Sequence, residues 1–178
     1  MSSIAARVLP DPIRKSHTAT VESPVGDLLL VGDGEALSGI LFAGRGEAPA
    51  SCKRDQSAFK EARAELSAYF AGELRTFSLA LAPQGTAFQR SVWSALCEIP
   101  YGATVTYGEL ALRLGREGAQ RAVGSANAQN PIPIVLPCHR VIGKGGALTG
   151  YGGGLSAKRL LLSLESGQLN WMRGSANA

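Results

Sequence analysis

The sequence predicts two small domains in series: an α/β domain of one small sheet and one helix over residues 17–82, then a mainly α domain built around a helix-turn-helix over residues 87–167. Three observations carry that expectation. The first half alternates apolar residues at a period of two between tight-turn residues. A cluster of turn-forming residues, Ala82-Pro83-Gln84-Gly85-Thr86, then interrupts the periodic patterns and places a linker at residues 83–86. Beyond it come three short stretches of helical spacing, the last two joined by a glycine-containing turn. At 178 residues the chain has room for both units.

The elements follow in order. Residues 1–16 mix small, proline and charged residues without period and read as a flexible tail, as do residues 168–178 at the other end. Thr18–Glu22, Asp27–Val31 and Ala36–Phe42 are expected strands, separated by Ser23-Pro24-Val25-Gly26 and Gly32-Asp33-Gly34. Phe59, Ala62, Leu66, Tyr69 and Phe70 recur at helical spacing and predict an amphipathic helix over Gln56–Ala71. Phe77, Leu79 and Leu81 alternate like a further strand. This first half carries no visible chemistry; support and docking are its expected roles.

In the second half Ala87–Glu98 is an expected helix with Phe88, Val92, Trp93 and Leu96 toward the core, and Cys97 on that face reads as packing. Pro100-Tyr101-Gly102 turns the chain. Tyr107–Leu114 makes a second helix ended by Gly115, and Glu117–Gln129 a third, closed by Asn130-Pro131. Ala119, Ala122, Val123 and Ala126 give the third helix a buried face, with Arg121, Ser125 and Ala128 opposite. Val141-Ile142 and Ala147-Leu148-Thr149 read as a hairpin around Gly143-Lys144-Gly145-Gly146. Gly150 to Gly154 lacks the spacing of a nucleotide-phosphate loop. It leads into a last helix with Ser156 as its cap, on which Leu161, Leu164 and Glu165 share a face.

Composition narrows the class. A hydrophobic content of 45% supplies a core, and 18% charged residues is ordinary for a globular chain. A net charge of +4 favours an anionic partner such as nucleic acid, but no basic run marks a disordered arm. Three scattered cysteines argue against a disulfide framework, and neither Cys-x-x-Cys nor His-x-x-x-His occurs, so no structural zinc is expected. No apolar stretch is long enough to span a membrane and no leader is read, so a reduced, cytoplasmic setting is expected. Cys52 in a polar loop and His17 near the tail are not candidates for chemistry.

The most informative stretch runs from Asn130 to Val141 and carries Pro131, Pro133 and Pro137 before the pair Cys138-His139. Proline cannot donate to a β-ladder and pushes the residue before it toward extended backbone. Cys138 is thus expected in a stiff, apolar, extended segment, with His139 pointing to the other side and any proton relay between them passing through a water. Apolar surroundings raise a thiol pKa and a nearby imidazole lowers it, so a useful nucleophile needs His139 fixed by a third group. An isolated buried cysteine is more often a small hydrophobe. The neighbouring residues decide against that reading.

Arg121-Ala122-Val123-Gly124, Asn130-Pro131 and Pro137-Cys138-His139-Arg140-Val141 resemble the O6-alkylguanine-DNA alkyltransferases, also called methylated-DNA–protein-cysteine methyltransferases. The likeness continues through Leu148-Thr149-Gly150-Tyr151-Gly152-Gly153-Gly154-Leu155, Lys158-Arg159, Leu161-Leu162 and Glu165. Upstream it takes in Phe88-Gln89, Val92-Trp93, Ile99-Pro100-Tyr101-Gly102 and Thr106-Tyr107-Gly108-Glu109-Leu110-Ala111.

The resemblance implies a ribonuclease H-like first domain and a winged-helix/helix-turn-helix second domain. It implies a protein that flips O6-alkylguanine, and O4-alkylthymine as well, out of duplex DNA and transfers the alkyl group once and irreversibly to Cys138. Glu165 would orient His139, which works through a water on Cys138. Asn130 would organise the active-site turn, and Tyr107 would donate toward O6. Arg121 would enter through the minor groove and take the place of the extruded base, with Ala122, Gly124, Ser125 and Tyr107 also at the DNA. That groove is about 6 Å wide, which suits small neighbours. Tyr151, Val141 and Gly152 would line the base pocket. No metal or organic cofactor is implied; some relatives hold zinc in the first domain, but matching ligands are missing here. A monomer is the expected state. Asn127 and Gln129 depart from the small residues of some relatives.

Rival classes fit less well. A cysteine hydrolase would use Cys, His and a carboxylate but leaves the helix-turn-helix and Arg121 unexplained. A transcription factor leaves Cys138 unexplained, and in the family branch that binds alkylated DNA without repair another residue replaces that cysteine.

Overall fold

The structure, a computed structural model, describes residues 7–9 and 16–168. The expected C-terminal tail therefore lies, beyond Gln168, outside the described residues. Of the expected N-terminal tail, Arg7–Val8 instead form strand β1, which pairs parallel with β6 (Ala80–Leu81).

The first domain is a six-stranded sheet in the order β1-β6-β4-β3-β2-β5. Its centre is the antiparallel meander of β2 (His17–Val21), β3 (Leu28–Gly32) and β4 (Leu37–Phe42). Alternating apolar residues put Leu28, Leu30, Leu37 and Phe42 into the core. The edge strand β5 (Lys53–Arg54), within a stretch expected as a polar loop, adds parallel to β2.

Helix α1 (Lys60–Phe70) is shorter than the expected Gln56–Ala71. The Asp55 carboxylate accepts from the Ser57 backbone at 2.9 Å, and Phe59 sits in the left-handed region at φ 55°, so the helix cannot begin before Lys60. Its apolar face buries Ala62, Leu66, Tyr69 and Phe70.

Residues 82–86 form neither helix nor strand, and the helices of the second half follow. Helix α2 (Ala87–Cys97) is opened by a capping box between Thr86 and Gln89 and buries Val92, Trp93 and Leu96, with Phe88 only half-buried. Strand β7 (Val105–Thr106) runs into α3 (Tyr107–Arg113), whose capping box joins Thr106 and Glu109. Helix α4 (Gln120–Ala128) begins three residues later than expected, because Gly118 turns the chain at φ 82°. Its buried residues are Val123, Ala126 and Asn127; Ala122, expected on that face, is exposed.

Two further expectations give way. Val141-Ile142 form β8, which pairs parallel with β7, and no strand forms over residues 147–149; only Gly143 N–H reaches the Ala147 carbonyl, at 2.7 Å. Helix α5 (Leu155–Glu165) starts one residue before Ser156, from Gly154 at φ 87°, without a side-chain cap. A Cβ at Gly153 would come within 2.7 Å of the Phe42 ring, so glycine is what lets this turn lie against β4. Among the described residues no helix is long and apolar enough to cross a membrane.

Candidate functional site

The segment from Ile132 to Val141 is buried throughout, wedged between the two domains. Asn130 pins its start: the side-chain amide donates to the Leu136 carbonyl at 2.7 Å, and its carbonyl oxygen accepts from Ile132 N–H at 3.0 Å. Ile134 takes φ 77°, so the run is a tight loop with a reversal in it rather than a straight extended rod. Cys138–Arg140 then form one turn of 3-10 helix, where extended backbone was expected. Pro137 explains the change: its fixed φ and missing N–H suit the entry to a turn, and its carbonyl accepts from Arg140 N–H at 3.0 Å.

Cys138 is 4% exposed and opens onto a cavity of about 150 Å³. Asn127, Asn130, Tyr151 and Gly152 line it from the second domain, Phe42 and Arg45 from the first. His139, Glu165, Tyr107 and Val141 do not line it. Burial pushes the Cys138 thiol up to about 11; a hydrogen bond with Asn130 and the charge of Lys158 pull the other way. The backbone N–H groups of Cys138 and His139 also pull it down, but the His139 ring is not among the influences, so the expected lowering by imidazole is replaced by a thiol held protonated at neutral pH.

His139 is completely buried. Its Nε2 lies 2.8 Å from Glu165 Oε1, and its Nδ1 has no protein partner among the described residues. Burial makes the ring less basic than usual, against the opposing pull of Glu165. Burial alone would raise the Glu165 carboxyl, but hydrogen bonds from His139 and Arg140 hold it at about 2. A neutral imidazole beside an ionised carboxylate carries its proton on the nitrogen facing that carboxylate, which leaves Nδ1 as a lone-pair acceptor. Among the described residues no hydrogen bond joins the Cys138 thiol to the His139 ring, as expected, though by a different backbone path.

Glu165 was expected on the core face of the last helix with His139 as partner, and it is. The residues that complete its surroundings were not foreseen. Arg140 forks onto it, Nε to Oε2 at 2.9 Å and Nη2 to Oε1 at 3.0 Å, while its Nη1 donates to the Ile99 carbonyl at 2.6 Å. Gly102 N–H reaches Oε2 at 3.2 Å, and the Tyr69 hydroxyl donates to Oε1 at 2.7 Å from the first domain. Lys158, fully buried, donates to the carbonyls of Val141 at 2.6 Å and Thr149 at 2.9 Å. A signal for Lys158 was present: it shares the helix face of Leu161 and Glu165 by spacing. Asn127 is buried, its amide 3.5 Å from the Cys138 carbonyl and its carbonyl oxygen without a protein partner among the described residues.

The remaining candidates lie around this centre. Tyr151 packs edge-on to Phe42 at 5.6 Å and near the His139 ring at 6.3 Å, with its hydroxyl buried. The Tyr107 hydroxyl accepts from Thr149 at 3.2 Å, and its ring lies beside Gly124. Arg121, Ala122 and Ser125 stand exposed on one side of α4.

Comparison with known proteins agrees with this arrangement. Residues 17–83 match the family described as 6-O-methylguanine DNA methyltransferase, ribonuclease-like domain, and residues 87–167 match its DNA binding domain. A methylated-DNA–protein-cysteine methyltransferase of Methanosarcina acetivorans is 54% identical over 153 residues, covering 84% of this chain and 97% of the relative. The crystal structure of Mycobacterium tuberculosis O6-methylguanine methyltransferase has a TM-score of 0.80 at 50% identity, covering 85% of this chain and 93% of that one. A structure of Mycobacterium tuberculosis OGT in complex with DNA has a TM-score of 0.82 at 49% identity, covering 85% of this chain and 94% of that one. With both domain descriptions matched in order across the two domains of the fold, the chain belongs to the 6-O-methylguanine-DNA methyltransferase family.

Proposed function

We propose that this chain is a DNA repair protein that flips an O6-alkylguanine out of duplex DNA and transfers the alkyl group irreversibly to its own Cys138. It is a methylated-DNA–protein-cysteine methyltransferase that acts once. The observation that carries this reading is a thiol opening onto a small cavity beside a neutral imidazole whose far nitrogen is tied to a buried carboxylate.

The chemistry follows from those contacts. With the thiol held up at about 11, a base is needed at neutral pH. Cys138 gives its proton through a water to His139 Nδ1, and Glu165 stabilises the imidazolium that forms. The sulfur–carbon bond then forms as the carbon–O6 bond breaks, and the electron pair leaves on guanine. Tyr107 donates a proton to that base, helped by the hydrogen bond its own oxygen accepts from Thr149. His139 and Tyr107 are reset by solvent. The thioether has no comparable leaving group, so the protein turns over once.

Asn130 fixes the turn that presents the thiol, and Tyr151, Gly152 and the backbone near Val141 receive the base. Arg121 fills the vacated stack through the minor groove, with Ala122, Gly124 and Ser125 permitting close approach. Extrusion costs a few kcal/mol and least where pairing is already damaged, so the lesion helps to select itself. O4-alkylthymine offers the same alkyl–oxygen bond, and a monomer suffices.

Mixing the protein with duplex DNA containing O6-methylguanine and measuring intact and peptide masses tests the reading. One methyl per molecule, on Cys138, is expected. Several turnovers per molecule, or methyl on Cys52 or Cys97, overturns it.

A further inference from the structure

We propose that Tyr69, in the first domain, is a positioning residue for the alkyl transfer: its hydroxyl holds the Glu165 carboxylate and sets how strongly that carboxylate grips His139. The kinetic part rests on the reading of Cys138 as alkyl acceptor; the coupling to His139 stands by itself.

The geometry is specific. Tyr69 is fully buried on the apolar face of α1, and its ring packs against Phe70, Phe77 and Tyr101 at centroid distances of 5.3, 5.2 and 6.2 Å. Phenylalanine would serve such packing without bringing a hydroxyl that must find a partner. That hydroxyl donates at 2.7 Å to Glu165 Oε1, the same oxygen that faces His139 Nε2. A hydrogen bond to an ionised carboxylate is roughly twice as strong as a neutral one. Burial and the Glu165 charge keep Tyr69 protonated far beyond neutral pH, so it remains a donor.

Each donor on a carboxylate spreads its charge and weakens its pull on the others. Without the Tyr69 hydroxyl, Oε1 pulls harder on the imidazole proton and His139 becomes more basic. The other groups around the pair are fixed by their own contacts. Arg140 and Lys158 disfavour the imidazolium, Cys138 and Tyr151 lie on the cavity side, and Tyr101 lies beside Tyr69 with Arg75 and Arg140 over its ring. The Tyr69 hydroxyl thus brings the first domain into the proton relay, separated by 96 positions in sequence from the carboxylate it holds.

The test is Tyr69→Phe in the full chain, which keeps the ring. The chain has two histidines, His17 and His139, so their titrations are resolved by NMR, with His17 as internal control. The His139 pKa should rise by about half a unit or more, the size expected when one ordinary hydrogen bond is redistributed. The acid limb of the rate with free O6-benzylguanine should move up by the same amount. An unchanged His139 titration, or a rate lowered equally at every pH, reduces Tyr69 to packing and overturns the proposal. Should the variant fold poorly, reciprocity supplies the measurement in the unaltered chain: the Tyr69 hydroxyl proton must shift as His139 titrates, and independence overturns the coupling. If the chain fails to alkylate Cys138 while the His139 shift persists, the proposed function falls and the coupling stands.

Discussion

Arg121 is exposed on α4 beside Ala122 and Ser125, a long cation among short neighbours. It is one of 18 lysines and arginines, so its loss should change the salt slope of DNA binding by only about one unit. Its hold on the flipped state should matter more, since extrusion costs a few kcal/mol. Arg121→Ala is expected to repair duplex lesions much more slowly, by about tenfold or more, while reacting nearly normally with free O6-benzylguanine, which needs no flipping. Arg121→Lys should recover only part of the duplex rate, because ammonium lacks the planar fork. Single-turnover rates on both substrates check this; equal losses would make Arg121 a support for the fold. At this scale the sequence was legible where chemistry is local. The pair Cys138-His139 and a carboxylate on a core helix face announce themselves. Arg140 stood in the same motif without an assigned role, and Tyr69 looked like one more aromatic on an amphipathic face. Their roles come from contacts between distant segments, which no spacing encodes.

Helix α3 is seven residues long, too short to stand without its ends satisfied. Thr106 Oγ1 accepts from Glu109 N–H at 3.2 Å, and the Glu109 carboxylate answers to Thr106 N–H at 2.6 Å. That box also sets Tyr107, the first helical residue, beside Gly124. Thr106→Ala should cost about 1 kcal/mol in urea unfolding and, by loosening Tyr107, slow alkyl transfer even in the folded protein. A stability loss with an unchanged rate would separate the cap from the donor. Elements with strong periodicity, β2 to β4, α2 and α3, were readable to within a residue or two. The misplaced starts fall at Phe59, Gly118 and Gly154, where a positive φ breaks a pattern that the side chains alone would continue. The expected hairpin after Val141 failed because β8 found its partner in β7, 36 positions upstream, instead of its neighbour.

At the scale of the whole molecule, the two domains share one apolar core and meet at one buried charge cluster. Glu165 takes donors from Tyr69 of the first domain and from His139, Arg140 and Gly102 of the second, so its ionisation is tied to both. His139 is less basic in the fold than its ordinary 6.5, so the unfolded chain takes up a proton that the folded chain refuses. Stability should therefore decline as pH falls below about 6.5. Glu165 is held at about 2 against an ordinary 4.5, so its contribution is full above 4.5 and is lost as pH falls toward 2. Cys138, raised from 9.0 to about 11, contributes fully below 9 and loses its contribution as pH rises through 11. Urea midpoints should thus form a plateau from about pH 7 to 9 with a decline on either side. Glu165→Gln should lower the plateau by about 3 kcal/mol or more, since it leaves Arg140 buried without its counter-charge, and should remove the step between 4.5 and 2. Because the cluster joins both domains, tryptophan fluorescence and far-ultraviolet circular dichroism should report one coincident transition in the unaltered chain. Two separate transitions would mean that the domains hold themselves together independently, with Glu165 serving the second alone.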